Sequence, residues 1–184
     1  MLTLIISLAM GAAIAYYIIS KYNLFVVLKN KVAEAWSTID VILKKRNDLI
    51  PNLVEIVKGY AAHEQNTFDS VTQARSQSVS AKTVGEQSTA ESNLSKALMN
   101  FYAVTEQYPE LKANTNFITL QQDLTEVEQD IEKARRYYNG TARDNNIAVE
   151  SFPSNLVALI FNFIKADYFE IDNASEREVP KVKF

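Results

Sequence analysis

Apolar residues fall along this chain in two distinct rhythms. From Leu2 to Ser20 they are nearly continuous, with no Asp, Glu, Lys or Arg. A helix rises about 1.5 Å per residue, so such a run nearly crosses a hydrocarbon layer of about 30 Å. Beyond Lys21 the rhythm changes. Val32, Trp36, Ile39, Leu43, Arg46, Ile50, Leu53, Val57 and Tyr60 follow alternating steps of four and three. That is one face of a helix packed in a bundle. It extends through Glu64, Thr67, Val71 and Ala74, predicting a helix from about residue 23 to about residue 77. Pro51 lacks an N–H and crowds the carbonyl of Asn47, so it is the expected kink or break.

Two further faces follow. Leu94, Leu98, Phe101, Thr105 and Tyr108 mark a second helix, ended by Pro109. The stretch from Ser76 to Ser92 is rich in Ser, Gln, Thr and Ala and reads as a polar connection or a weak helix end. Glu110 to Asn116 reads as a turn, with Asn114 or Thr115 as an N-cap. Phe117, Leu120, Leu124, Val127, Ile131, Ala134, Tyr138, Thr141, Asn145, Ala148 and Phe152 form the longest unbroken face. Its far side, with Glu126, Glu128, Asp130, Glu132, Lys133 and Arg135, reads as a solvated surface. Pro153 stops that helix, and Ser154 or Asn155 can cap a short segment, Leu156 to Ile164, that is apolar on most sides. Burial against the bundle is its first reading, contact with a membrane or a partner its second.

The predicted fold is all-α: an antiparallel, four-helix-bundle-like array of long helices behind an N-terminal transmembrane helix. The expected division is an anchor at 1–22, a helical bundle at 23–169 and a tail at 170–184. A cleaved signal peptide is the competing reading of the N-terminus. It is weakened because no Lys or Arg precedes the apolar run and because Tyr16, Tyr17 and Tyr22 suit an interfacial belt. Lys21, Lys29, Lys31, Lys44, Lys45 and Arg46 all follow the span. Positive charge marks the cytoplasmic side, so a single-pass protein with its N-terminus outside and its body in the cytoplasm is expected.

Composition narrows the chemistry. The chain has 184 residues, no cysteine, one histidine and a formal charge of −3. Thiol chemistry and cysteine-based zinc sites are excluded, and a nucleic-acid partner is not expected. Gly and Pro number four each, too few for a turn-rich all-β domain. His63 with Glu64 makes a poor metal site, since no Glu-x-x-His motif precedes it. Phosphate-binding glycine loops and the Gly-x-Ser-x-Gly elbow are absent. No catalytic, metal or cofactor residue is therefore assigned, and the chain is not expected to be an enzyme.

One polar group stands out: Arg46, Asp48, Asn52 and Glu55, around Pro51. Arg46 occupies an inward position, where an unpaired charge is costly. It calls for a carboxylate on another helix, with Asp144 one candidate, in a register-fixing role. The alternative is a ligand or partner surface at Arg46, Asp48, Asn52 and Glu55. The C-terminal Val179–Phe184 stretch is a minor candidate for capture by strand addition.

Several blocks carry a resemblance. Asn30-Lys-Val-Ala-Glu-Ala-Trp-Ser-Thr-Ile-Asp40 runs into Leu43-Lys-Lys-Arg-Asn-Asp-Leu-Ile-Pro-Asn-Leu-Val-Glu55. Val57-Lys-Gly-Tyr-Ala-Ala-His-Glu64, Tyr108-Pro-Glu-Leu-Lys-Ala-Asn114, Phe117 and Ser151-Phe-Pro-Ser-Asn-Leu-Val157 follow. Over nearly its whole length the chain resembles the bacterial LemA family. The resemblance implies a membrane-anchored helical bundle with no known catalysis, and a related branch is associated with magnetosome formation. The expected function is a membrane-bound scaffold or regulator acting through protein contacts, with residues 2–20 in the bilayer, unknown protein partners and self-association as a further possibility. A ligand-binding or signal-sensing bundle is the alternative.

Overall fold

The computed structural model describes residues 1–170, so the tail 171–184, including Val179–Phe184, lies outside the described residues. Six helices follow in order: α1 Leu2–Lys58, α2 Gln65–Ser80, α3 Val84–Thr105, α4 Pro109–Lys112, α5 Thr115–Glu150 and α6 Ser154–Phe161. No strand occurs among the described residues, and the fold is all-α. Two compact units divide the chain. One draws on Met1–Thr38 and Arg136–Tyr168, the other on Ile39–Arg135 with Phe169 and Glu170.

α1 does not break at Pro51. It runs on to Lys58 and ends where Gly59, Tyr60 and Ala61 tighten onto Ile56 and Val57 carbonyls at 2.9–3.2 Å. Pro51 removes the N–H that would have bonded the Asn47 carbonyl. Arg75 Nε on α2 donates to that freed oxygen at 2.6 Å instead. The gap in the ladder becomes a tertiary bond, which offsets part of a helix-interior proline's cost of about 3 kcal/mol.

In this second unit Ile50, Leu53, Val57, Phe68, Leu94, Phe101, Leu111 and Phe117 form the centre of the apolar core. Each such side chain contributes roughly 1.5–3 kcal/mol when fully buried. The inward face of α2 is Phe68, Val71, Ala74 and Ser78, so Glu64 and Thr67 sit at its margin. The predicted polar connection from Ser76 to Ser92 is mostly helix. Only Ala81–Thr83 links α2 to α3, and so short a link makes the two packed helices antiparallel. A capping box starts α3: Thr83 Oγ1 accepts from Glu86 N at 3.2 Å, and Glu86 Oε2 accepts from Thr83 N at 3.1 Å. Pro109 opens the single turn of α4. Asn114 Oδ1 then caps α5, accepting from Asn116 N at 2.9 Å and Phe117 N at 3.1 Å.

The first unit combines the N-terminal part of α1, the C-terminal part of α5, and α6. Trp36 meets Tyr138 edge-on at 5.5 Å. Phe25, Val157 and Ala158 make a small buried cluster flanked by Tyr17, Ile18, Ala148, Val149 and Phe163. α6 is not buried as a capping helix: only Val157, Ala158 and Ser154 are covered, while Leu156, Leu159 and Ile160 are exposed. Eight residues have room for one inward stripe, and here every side of the helix is apolar. Asn162 closes it in the left-handed conformation that asparagine tolerates, φ 57°.

After α6 the chain lies along α5 without regular structure. Asn145 Nδ2 donates to the Ile164 carbonyl at 3.1 Å, and Asn146 Nδ2 donates to that of Ala166 at 2.9 Å. Asn146 Oδ1 accepts from Ala166 N at 2.8 Å, and Tyr138 Oη donates to the Asp167 carbonyl at 2.9 Å. The polar interruption at Asn145 therefore exists to hold backbone, whose N–H and C=O groups need partners wherever they are buried.

Candidate functional site: a buried charge network

Arg46 projects from α1 into the second unit and is 0% exposed. Its Nη1 bonds Glu128 Oε1 on α5 at 2.8 Å, and its Nη2 bonds Glu91 Oε2 on α3. The register-fixing partner is therefore not Asp144, which is exposed and held by Arg143 at 3.0 Å. Glu91 is the hub. Ser78 Oγ donates to its Oε1 at 2.6 Å, Gln87 Nε2 donates to the same oxygen at 2.8 Å, and Arg135 Nη2 lies 3.4 Å from Oε2. Asn47 Nδ2 donates to Ser78 Oγ at 3.1 Å. Four helices are thus joined through one carboxylate and one guanidinium.

The electrostatics follow from burial. Burial pushes the Arg135 guanidinium below its ordinary range, against the raising pull of Glu91. Its plane also lies 4.5 Å from the centroid of the Phe169 ring. Tyr102, beside Glu128, is pushed up to about 12, first by burial and second by that carboxylate. Arg46 Nε, Asn47 Oδ1 and Arg135 Nε are buried without a hydrogen-bond partner.

The four residues singled out from the sequence do not converge. Arg46 faces inward, whereas Asp48, Asn52 and Glu55 lie exposed on the opposite side of α1. Asp48 there makes an (i, i+4) pair with Lys44 at 2.9 Å. Positions 46 and 48 are about 200° apart on a helix, which explains the separation. Glu91, Ser78 and Gln87 lie within the polar stretch whose composition predicts a connection. Glu128 and Arg135 fall on the charged side of α5 that predicts a solvated face, yet both reach inward to Arg46 and Glu91. The signal was available: an inward arginine needs carboxylates, and Glu91 stands three residues before Leu94 on the same face. His63 is exposed in the α1–α2 connection, and the described residues form no group of three His, Asp or Glu able to hold a metal.

A cleft of about 210 Å³ adjoins the network, lined by Ser88, Glu91, Lys96, Arg135, Phe169 and Glu170 among others. Ser88 Oγ donates to the Glu170 carbonyl at its edge. The network turns its charges toward one another. It can bind helices together, and its access to open space is through Glu128, whose side chain is 42% exposed, and through Arg135, 24% exposed at the cleft.

These features define an all-α protein in which, among the described residues, one helix, α1, is long and apolar enough to cross a membrane. The chain belongs to the LemA family, whose profile matches residues 35–184. It is similar to "Magnetosome protein MamQ 2" of Paramagnetospirillum magneticum, 26% identical over an alignment of 202 positions that covers 96% of this chain and 74% of that protein. "Magnetosome protein MamQ" of Magnetospirillum gryphiswaldense is 24% identical over an alignment of 204 positions, covering 97% of this chain and 75% of that protein. "Protein LemA" of Metamycoplasma hominis is 27% identical over 153 residues, covering 82% and 68%.

Proposed function

We propose that this protein is a membrane-anchored helical scaffold that acts through protein contacts on the cytoplasmic side of a bacterial membrane. The observation that carries this reading is the inward closure of its strongest polar cluster. Arg46 and Glu91 are used up in joining helices, so the chemistry most able to act on a substrate is spent on architecture. The apolar opening of α1 supports a membrane location, and the lysines after Ser20 support a cytoplasmic body. Relatives named as magnetosome proteins fit a role in organising membranes.

Photo-crosslinking in cells tests this. A crosslinking residue is placed at exposed Met99, Tyr137 or Ile118, and captured proteins are identified. A discrete partner recovered from one position and lost from the others supports the scaffold reading. No capture from any position counts against it.

The cleft beside Arg135 favours a second reading, a ligand-binding bundle. Its polar site would be Arg135 and Glu91 rather than Asp48, Asn52 and Glu55. A metabolite-induced rise in melting temperature that Arg135→Met abolishes would support it over the scaffold.

A further inference from the structure

Between Glu150 and Lys165 the chain carries no Asp, Glu, Lys or Arg. The two flanking charges pair with each other at 2.9 Å, so the stretch they bracket presents no net charge at its base. Within it Leu156, Leu159 and Ile160 stand at i, i+3 and i+4 and share the face of α6 turned away from the buried Ala158. Leu159 is 81% exposed, Ile160 68% and Phe152 80%, and Ile164 lies exposed beyond them. A contiguous apolar patch of this kind marks a contact surface.

What covers it is indicated by where α6 is fastened. Tyr22 meets Phe161 at 4.9 Å and Phe163 at 5.6 Å, both edge-on, and Phe25 stacks on Phe163 at 4.9 Å. Tyr17 and Ile18 pack against the same cluster. The attachment therefore falls on the turns of α1 where the charge-free run from Leu2 ends at Lys21. A hydrocarbon core of about 30 Å takes about 20 helical residues, which puts these turns at the lipid–water boundary. α6 is thus fastened beside the end of the charge-free run, with Leu156, Leu159 and Ile160 left uncovered.

We propose that Ser151–Ile164 lies in the interface of the bilayer beside the span, with Leu156, Leu159 and Ile160 among the acyl chains. The first unit then holds the membrane by two elements. An isolated segment of this length binds bilayers weakly, but here the span supplies a high effective concentration of surface. The inference rests on the anchor reading above.

Because the chain has no cysteine, single cysteines can be introduced and spin-labelled directly. Ile6→Cys, Leu159→Cys, Ile160→Cys and, as an aqueous reference, Gln122→Cys are made in the full chain, all at exposed positions. Each is reconstituted in phosphatidylcholine–phosphatidylglycerol vesicles, and far-UV circular dichroism checks that its helix content is retained. Collision with oxygen and with a neutral nickel chelate is then measured. The expected result is an oxygen-to-nickel ratio at residues 159 and 160 several-fold above that at 122, approaching that at 6. If residue 6 favours oxygen while 159 and 160 match 122, the α6 proposal is overturned and the anchor stands. If residue 6 itself favours nickel, the anchor fails and takes the proposal with it. Shielding of 159 from both reagents, with dipolar broadening between labels, overturns it in favour of contact between two copies.

Discussion

Replacing Arg46 by methionine is the most direct test of the buried network. The substitution keeps much of the aliphatic volume and removes the charge. Glu91, 1% exposed, loses its main counter-charge. Glu128 loses less, because its side chain is 42% exposed and can turn to water. Removing one member of a buried ion pair costs about 3–5 kcal/mol, chiefly through the charge left behind. Ser78, Gln87 and the more distant Arg135 still serve Glu91, which places the expected loss near the lower bound, about 3 kcal/mol, or roughly a hundredfold in the folding constant. Adding Glu91→Leu removes the stranded carboxylate, so the double variant should recover most of that loss. Urea unfolding of the micelle-bound full chain, followed by circular dichroism, reads both numbers. The loss should change little between low and high salt, since neither Arg46 nor Glu91 faces solvent. An Arg46→Met variant within 0.5 kcal/mol of the parent, or a double variant less stable than the single, would refute the reasoning.

Other outcomes follow from the same packing. Arg75→Met strands the Asn47 carbonyl and should cost about 1.5–3 kcal/mol, while Pro51→Ala in that background restores an N–H donor and returns part of it; equal instability in the two would sink the account of Pro51. Thr83→Ala breaks the capping box at α3 and should cost about 1 kcal/mol by urea unfolding, with Thr83→Ser nearly neutral. Tyr102 is raised in the folded state to about 12, so its contribution is complete below the ordinary tyrosine value and is lost as pH rises from 10 toward 12. Absorbance titration should show a late-ionising tyrosine that Tyr102→Phe removes, and persistence of its full amplitude in that variant would contradict the assignment.

Long faces at helical spacing made most of α1 and α5 legible: Ile39, Leu43, Ile50, Leu53 and Val57 are all buried, as are Leu124, Val127, Ile131 and Tyr138, whereas Tyr60 and Phe152, at the ends of the same faces, lie beyond the helices and are exposed. Apolar periodicity reports a helix only where its inward positions are apolar. α2 and the start of α3 place Ser78, Gln87, Ser88 and Glu91 inward, and their helical rhythm is invisible to a count of hydrophobic residues. Of the kink and the break that Pro51 allows, the break does not occur, because the cost is offset by a guanidinium on another helix that no local rule weighs. The demand made by Arg46 was readable, but its partners were not, because many carboxylates compete and only tertiary packing chooses among them. α6 was legible as apolar and short. Its exposure was not, because burial depends on how much neighbouring surface exists to cover it.

The segment from Asn162 to Tyr168 has a consequence for how this protein tolerates mutation. It is held along α5 through its own main-chain atoms, the carbonyls of Ile164, Ala166 and Asp167 and the amide of Ala166. Main-chain atoms survive almost any substitution, so identity at 166 and 167, whose side chains carry no such contact, is free to drift while the conformation persists. The constraint has moved to the reader of that backbone, the side chains of Tyr138, Asn145 and Asn146. In a saturation mutagenesis screen, permissive and forbidden positions should therefore fall in different elements, with the irregular segment tolerant and the regular helix beneath it strict.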